Sequence, residues 1–464
     1  MWTYSLTFTL RAVLRELLRG FWGRYLVYPR LAAVERSAAL LNAAIARRAR
    51  RIGVTVAADG TRLARLPQPP QSAQYPQHPH HPQHLQLQQL QQLQQPPQPA
   101  QLPDGRSALL TKAEVARHPE RFLRPRTLST LLRSTIRTSG TSGSPLALVQ
   151  TLGAVIREEG FIQRQLAWIG WRHGQRRAWI RGEIVCPAQP ADGRYWCHDW
   201  FGKILLLSSY HLSNATIGAY IGALERYDPV VIHAYPSSVG ALAAWLNAAG
   251  QRYRGRALRG VMTSSETLEP EVRSAVESAF GVPVYDWYGQ AERVAAIGNC
   301  ERGNYHVLTD YGGVELLDLA DGSCELVGTT LNNPAMPLSR YRTGDRVIPG
   351  NGAPCACGRV FPTVKAVIGR QEKTVTLPDG RIVARLDRVF QGHERGLLEG
   401  QVLYRGDARF VLRVVTLDAF GAADEAALVE KFLLRVPGVE VGVERVAAIP
   451  RGPNGKYEFI AFET

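Results

Sequence analysis

The chain has 464 residues, enough for two or three domains and a large core. Its 45% hydrophobic and 20% charged content is that of a soluble globular protein, and no apolar run reaches the length of a membrane span. A formal net charge of +15 points to anionic partners in general; the chain carries no nucleic-acid motif, so nucleic acid is not expected among them. Six unevenly spaced cysteines do not make a disulfide framework, which predicts a reducing, cytoplasmic setting.

Residues 1–66 read as helices. Leu10, Leu14, Leu17, Leu18 and Phe21 recur at helical spacing with Arg11, Arg15 and Arg19 between them, and those arginines come too early for a secretory signal. The result is a basic amphipathic helix that either lies on a membrane surface or packs its apolar face on the body of the protein. A second helix is expected from Leu31 to Arg51. Residues 67–103 are a tract of glutamine, proline and histidine with too little apolar surface to offset ordering entropy, hence a disordered insert.

The globular pattern resumes at Asp104. Thr111 followed by Glu114 is a capping-box helix start, and residues 148–172 have helical period. Apolar runs at Ile204–Leu207, Val230–Ile232, Gly260–Thr263 and Val282–Tyr285 read as strands, with helices at Ser237–Ala249 and Pro270–Phe280 between them. This alternation predicts an α/β sheet with ligands at the strand ends. A smaller α+β unit spans 370–464, with strands near Val402–Tyr404, Phe410–Val415 and Val439–Val446 and a helix at Asp424–Leu434.

Thr138, Ser139, Gly140, Thr141, Ser142 and Gly143 put two glycines and four hydroxyls into six positions. Such a segment is poor helix and poor strand; it suits either a plain linker or a nest of N–H and hydroxyl groups around a phosphate, and it lacks the Gly-Lys-Ser/Thr ending of a Walker loop. Further turns follow at Ser264-Ser265-Glu266, at Trp287 to Glu292, at Tyr341 to Asp345, at Gly369 to Lys373 and at Gly452 to Lys456. Each is weak alone. In this order and spacing the set resembles the adenylate-forming superfamily of acyl-CoA synthetases, adenylation domains and luciferases. Within it, HAYPSS at 233–238, SSETLEPEVR at 264–273 and the cysteine pattern are similar to the phenylacetate–CoA ligase and CapK branch.

The resemblance runs from about Leu109 to the C-terminus. It implies a large α/β adenylation domain over 104–369 and a small mobile α+β lid over 370–464. It implies ATP-dependent activation of a carboxylic acid as acyl-AMP, with release of pyrophosphate and then transfer to coenzyme A. The 138–143 loop would hold the ATP phosphates and Glu292 a Mg²⁺ ion. Tyr288 and Gly289 would lie by the adenine, the backbone at Ser265 and Glu266 along its edge, and Asp345 on the ribose hydroxyls. Arg370 would sit near ribose and phosphates, Lys373 at the hinge, and Lys456 would reach from the lid to the reacting carboxylate and α-phosphate. The chain departs from its relatives in carrying Ser144 and Leu146 where many have a lysine, and Lys373 where many have an aspartate. Tyr210, His211 and Tyr235 either line the acyl pocket or belong to the core. Adenylyl transfer to a non-carboxylate acceptor and an inactive membrane-surface scaffold of the same fold are the alternative readings. A homodimer and a peripheral membrane contact through the N-terminal helix are the remaining partner expectations.

Cys300, His306, Cys355 and Cys357 form C-x5-H followed by C-x-C-G. Three thiols and an imidazole from two loops match tetrahedral Zn²⁺ with no open position, hence a structural site, as in some members of the branch. The other reading is a set of reduced, buried cysteines beside a histidine.

Overall fold

The computed structural model describes residues 27–56, 59–66, 108–127, 130–137, 146–187, 189–213, 215–369, 374–383, 386–390, 397–416, 420–447, 449 and 459–463. The N-terminal amphipathic helix, the 67–103 insert, the 138–143 loop, Arg370, Lys373 and Lys456 lie outside them.

A mixed sheet of thirteen strands carries the large unit. Its parallel half runs Ile204–Ser208, Arg177–Arg181, Val231–Ala234, Gly260–Ser264, Val284–Gly289, with Trp196–Asp199 antiparallel at the edge. These strands are apolar because both faces are covered. Helices Ile217–Tyr227, Pro236–Ala248 and Pro270–Phe280 connect them, and Tyr220, Leu242 and Val276 seal one face against Ile232 and Val261. All the parallel strands end on one side, so the turns after Arg181, Ser208, Ala234 and Ser264 share one edge.

From Val284–Gly289 the sheet continues antiparallel through Ala296–Asn299, Tyr305–Val307, Thr363–Gly369, Tyr341–Pro349, Cys324–Thr330 and Gly312–Asp318. The strand Ala64–Leu66 closes the edge in parallel with Glu315–Leu317. A separate hairpin pairs Arg133–Arg137 with Ala147–Thr151. The small unit has a four-stranded sheet ordered Glu440–Arg445, Arg409–Thr416, Leu397–Tyr404, Ile460–Phe462, packed on helix Ala422–Leu433 through Leu428 and Phe432.

Two local expectations are corrected. Helix 148–172 begins only at Leu152, because residues 147–151 pair with the preceding strand; Thr151 then caps the helix by accepting from the Ala154 amide at 3.1 Å. Helix Leu31–Arg51 is two helices, Tyr28–Val34 and Ala38–Ile52. Ser37 leaves the helical region at φ −138°, ψ 113° and caps the second helix from its side chain. Leu31, Leu41, Ile45 and Ala49 face inward against Phe161 and Leu166, so these two helices belong to the core of the large unit. The capping box at Thr111 forms as expected, with reciprocal bonds to Glu114.

Candidate functional site

Strands Val284–Gly289 and Tyr341–Pro349 bring two of the singled-out turns together. The Tyr288 hydroxyl donates to Asp345 Oδ2 at 2.8 Å, and Thr343 Oγ1 accepts from the Asp345 amide at 3.0 Å. Asp345 is therefore fixed in direction. One turn away, Tyr341 donates to Glu292 Oε1 at 3.1 Å.

The strands flanking the glycine-hydroxyl loop reach the same place. Arg137 stands opposite Ala147, so the two ends of the loop are held side by side. Leu146 and Leu148 pack with Val294, Met336 and Tyr341. Arg293, next to Glu292 and in a left-handed conformation at φ 56°, donates from Nε to Gln150 Oε1 at 3.1 Å and pairs with Glu158 at 2.7 Å. The loop base and the Glu292 turn thus form one packed body.

The Ser264–Glu266 turn lies at the neighbouring strand end. Ser265 takes φ 72° and accepts from Arg181 Nη2 at 2.7 Å. Glu266 accepts from the Ser237 amide at 2.9 Å and its hydroxyl at 3.1 Å, closing the start of helix Pro236–Ala248. Its side chain therefore holds the turn against the start of that helix. Thr267 donates to the Ile368 carbonyl at 3.1 Å, tying this turn to the segment that leads out of the large unit.

Tyr210 and Tyr235 line a narrow cleft with Ser209, Ser237, Ser238 and, from the small unit, Ile382, Val383 and Arg435. His211 is not among the lining residues. It is buried beneath, 2.7 Å from Ser208 Oγ and 3.8 Å from Cys186 Sγ, and stacks on Tyr195.

The cysteine cluster closes as the spacing suggested. The donor atoms of Cys300, His306, Cys355 and Cys357 all lie within 4.8 Å of one another. Cys300 and Cys355 sulfurs are 3.8 Å apart, too far for a disulfide and equal to the edge of a tetrahedron with metal–sulfur bonds of about 2.3 Å. His306 Nδ1 donates to the Phe361 carbonyl at 3.2 Å, which turns Nε2 toward Cys357 Sγ, 3.3 Å away. Burial pushes the imidazole down to about 4, so it is neutral and free to ligate. Asn304 Nδ2 and the Arg302 amide donate to two of the sulfurs, as outer partners of thiolates do.

No family model matches the chain. Two curated proteins align with it. CapK of Staphylococcus aureus is 22% identical over 330 residues, covering 69% of this chain and 72% of CapK. Phenylacetate–coenzyme A ligase of Thermus thermophilus is 30% identical over 247 residues, covering 50% of this chain and 54% of the ligase. The chain is thus similar in sequence to CapK over about two thirds of its length and to a phenylacetate–coenzyme A ligase over half of it. Among solved structures, 2-hydroxyisobutyryl-CoA ligase in its postadenylation state is 18% identical with a TM-score of 0.42, covering 77% of this chain and 80% of that one. The same ligase in its thioesterification state is 17% identical with a TM-score of 0.44 over the same shares.

The motifs in the sequence do not single out a buried group at the strand ends. His233 Nε2 is 3.0 Å from Ser264 Oγ, and Arg181 lies 5.4 Å over the Tyr235 ring. Beside it Asp286, bonded by Thr263 at 2.8 Å and Tyr305 at 3.3 Å, is pushed by burial up to about 6. Asp286 falls between the strand expected at Val282–Tyr285 and the turn at Trp287–Glu292. An acid at an inward position of a parallel strand was the available signal.

Proposed function

We propose that the protein is an ATP-dependent adenylate-forming ligase, which converts a carboxylic acid to acyl-AMP with release of pyrophosphate and then passes the acyl group to coenzyme A. The observation that carries this reading is the convergence of the Tyr288, Asp345 and Glu292 turns on the base of the glycine-hydroxyl loop. In this reading Asp345 accepts from the ribose hydroxyls, with Tyr288 holding it, and the 138–143 loop cradles the phosphates. Glu292 supplies a hard oxygen ligand for Mg²⁺, its carboxylate oriented by Tyr341. Arg370 and Lys456 balance the charge that develops as the carboxylate attacks the α-phosphorus: a carboxylate O–P bond forms, the bond to pyrophosphate breaks, and pyrophosphate carries off the charge. Lys373 is the hinge about which residues 370–464 turn between the two half-reactions. Tyr210 and Tyr235 line the acyl pocket. Cys300, His306, Cys355 and Cys357 hold a structural Zn²⁺ that ties the 300–306 and 355–357 loops together.

The test is a pyrophosphate-release screen over aryl and aliphatic acids, with and without coenzyme A. Acid-dependent release that yields a thioester only when coenzyme A is present supports the reading. Release that ignores every carboxylic acid and follows a non-carboxylate acceptor would support adenylyl transfer of that kind. No ATP binding at all would support a scaffold that kept the fold.

A further inference from the structure

The cleft between the two units contains a buried cation that has no carboxylate partner among the described residues. Arg435 is 8% exposed and follows the small unit's helix. Its Nη1 donates to the Lys431 carbonyl at 2.9 Å and its guanidinium lies 5.9 Å from the Tyr210 ring, but it pairs with no carboxylate among the described residues. Its Nε is buried without an acceptor. The nearby charge is of the same sign: burial and the Arg435 charge push Lys431 down to about 8. Burying a charge this way is costly unless something neutralises it.

The other donors of the cleft show what is missing. Ser209 Oγ donates to the Arg181 carbonyl, Tyr210 to the Gly182 carbonyl, and Ser237 to Glu266. The Tyr235 hydroxyl, in a residue only 2% exposed, has no partner. The Arg435 N–H and the Tyr235 O–H belong to residues that line one cleft, and neither has an acceptor among the described residues; an oxyanion would supply one.

We propose that this cleft is an oxyanion pocket, in which Arg435 of the small unit and Tyr235 of the large one hold a second anionic group carried by the acid substrate. This rests on the ligase reading for its choice of ligand. It makes the preferred acid a dianion rather than a plain aryl or fatty acid, with Ile382 and Val383 against its carbon skeleton. It also makes the small unit part of substrate selection.

The experiment compares matched acids: adipate with hexanoate, and 4-carboxyphenylacetate with phenylacetate. Binding to the full chain is measured by calorimetry without ATP, and pyrophosphate release in parallel, for the native protein, Arg435→Gln and Tyr235→Phe. Coenzyme A and dephospho-coenzyme A are titrated alongside. The expected result is roughly tenfold or tighter binding of the diacid in the native protein, about the size of one charge-assisted bond. Both variants should lose that preference, and in Arg435→Gln monoacid binding should stay within about twofold. The near-isosteric Tyr235→Phe keeps the test valid if Arg435→Gln folds poorly. Equal affinity for mono- and diacids, variants that weaken both alike, or an effect confined to the coenzyme A pair would overturn the proposal. If diacid binding depends on Arg435 but no acid releases pyrophosphate, the pocket stands and the ligase reading falls. If release follows the monoacids and both variants are silent, the ligase reading stands and the pocket falls.

Discussion

Tyr288 and Asp345, 57 positions apart, meet through a hydroxyl–carboxylate bond of 2.8 Å on two strands separated by three others in the same sheet. That bond fixes the direction of the Asp345 carboxylate. Tyr288→Phe should therefore raise the KM for ATP by roughly tenfold, the cost of about one hydrogen bond to a charged group, with kcat little changed. Asp345→Ala should raise it further. Initial rates of pyrophosphate release against ATP concentration measure both, and an unchanged KM in Asp345→Ala would remove this carboxylate from nucleotide binding.

Lys456→Ala should abolish acyl-AMP formation while conversion of a supplied acyl-AMP and coenzyme A to thioester survives in part, since the ammonium acts on the first transition state. A proline at Lys373 should do the reverse by stiffening the hinge. Following each half-reaction separately checks the pair; equal loss of both in Lys456→Ala contradicts the role.

The purified protein should contain about one zinc per chain, in a site that Cys355→Ser or prolonged chelation empties. Removal should lower the melting temperature by several degrees, because the 300–306 and 355–357 loops then hold four buried polar groups without their common partner. Elemental analysis giving no stoichiometric zinc in protein prepared without chelator counts against the site.

Asp286 sets a pH dependence of stability. Burial raises its folded pKa to about 6, above the value near 4 expected in the unfolded chain. A group raised on folding favours the folded state below its unfolded pKa and loses that contribution as pH rises through the folded one. Stability should fall by up to about 3 kcal/mol between pH 4 and pH 6 from this group. Asp286→Asn should flatten that slope while keeping the Thr263 contact. Urea denaturation across the range reads the difference.

Arg164 and Asp310 form a bidentate pair at 2.9 and 3.0 Å that is almost fully excluded from solvent. Asp310→Ala leaves a buried guanidinium among Phe161, Trp168 and Phe361 and should cost about 3–5 kcal/mol in chemical denaturation.

The sequence alone determined the parallel half of the sheet. Runs such as Ile204–Leu207, alternating with capped or proline-started helices such as Pro270–Phe280, have no other stable packing. It also marked Cys300, His306, Cys355 and Cys357 as a set, because potential ligand chemistry is written in residue types. It did not decide where strands yield to helices. Residues 147–151 have helical period, yet pairing with Arg133–Arg137 makes them strand, a contact made across the chain. Nor did it separate Tyr210 from His211: adjacent residues at one strand end divide into cleft lining and core by which side the backbone turns. Only the tertiary structure brought Arg435 beside Tyr210, or left the Tyr235 hydroxyl without an acceptor. An unmet buried charge is a property of what surrounds it, and no residue type announces its surroundings.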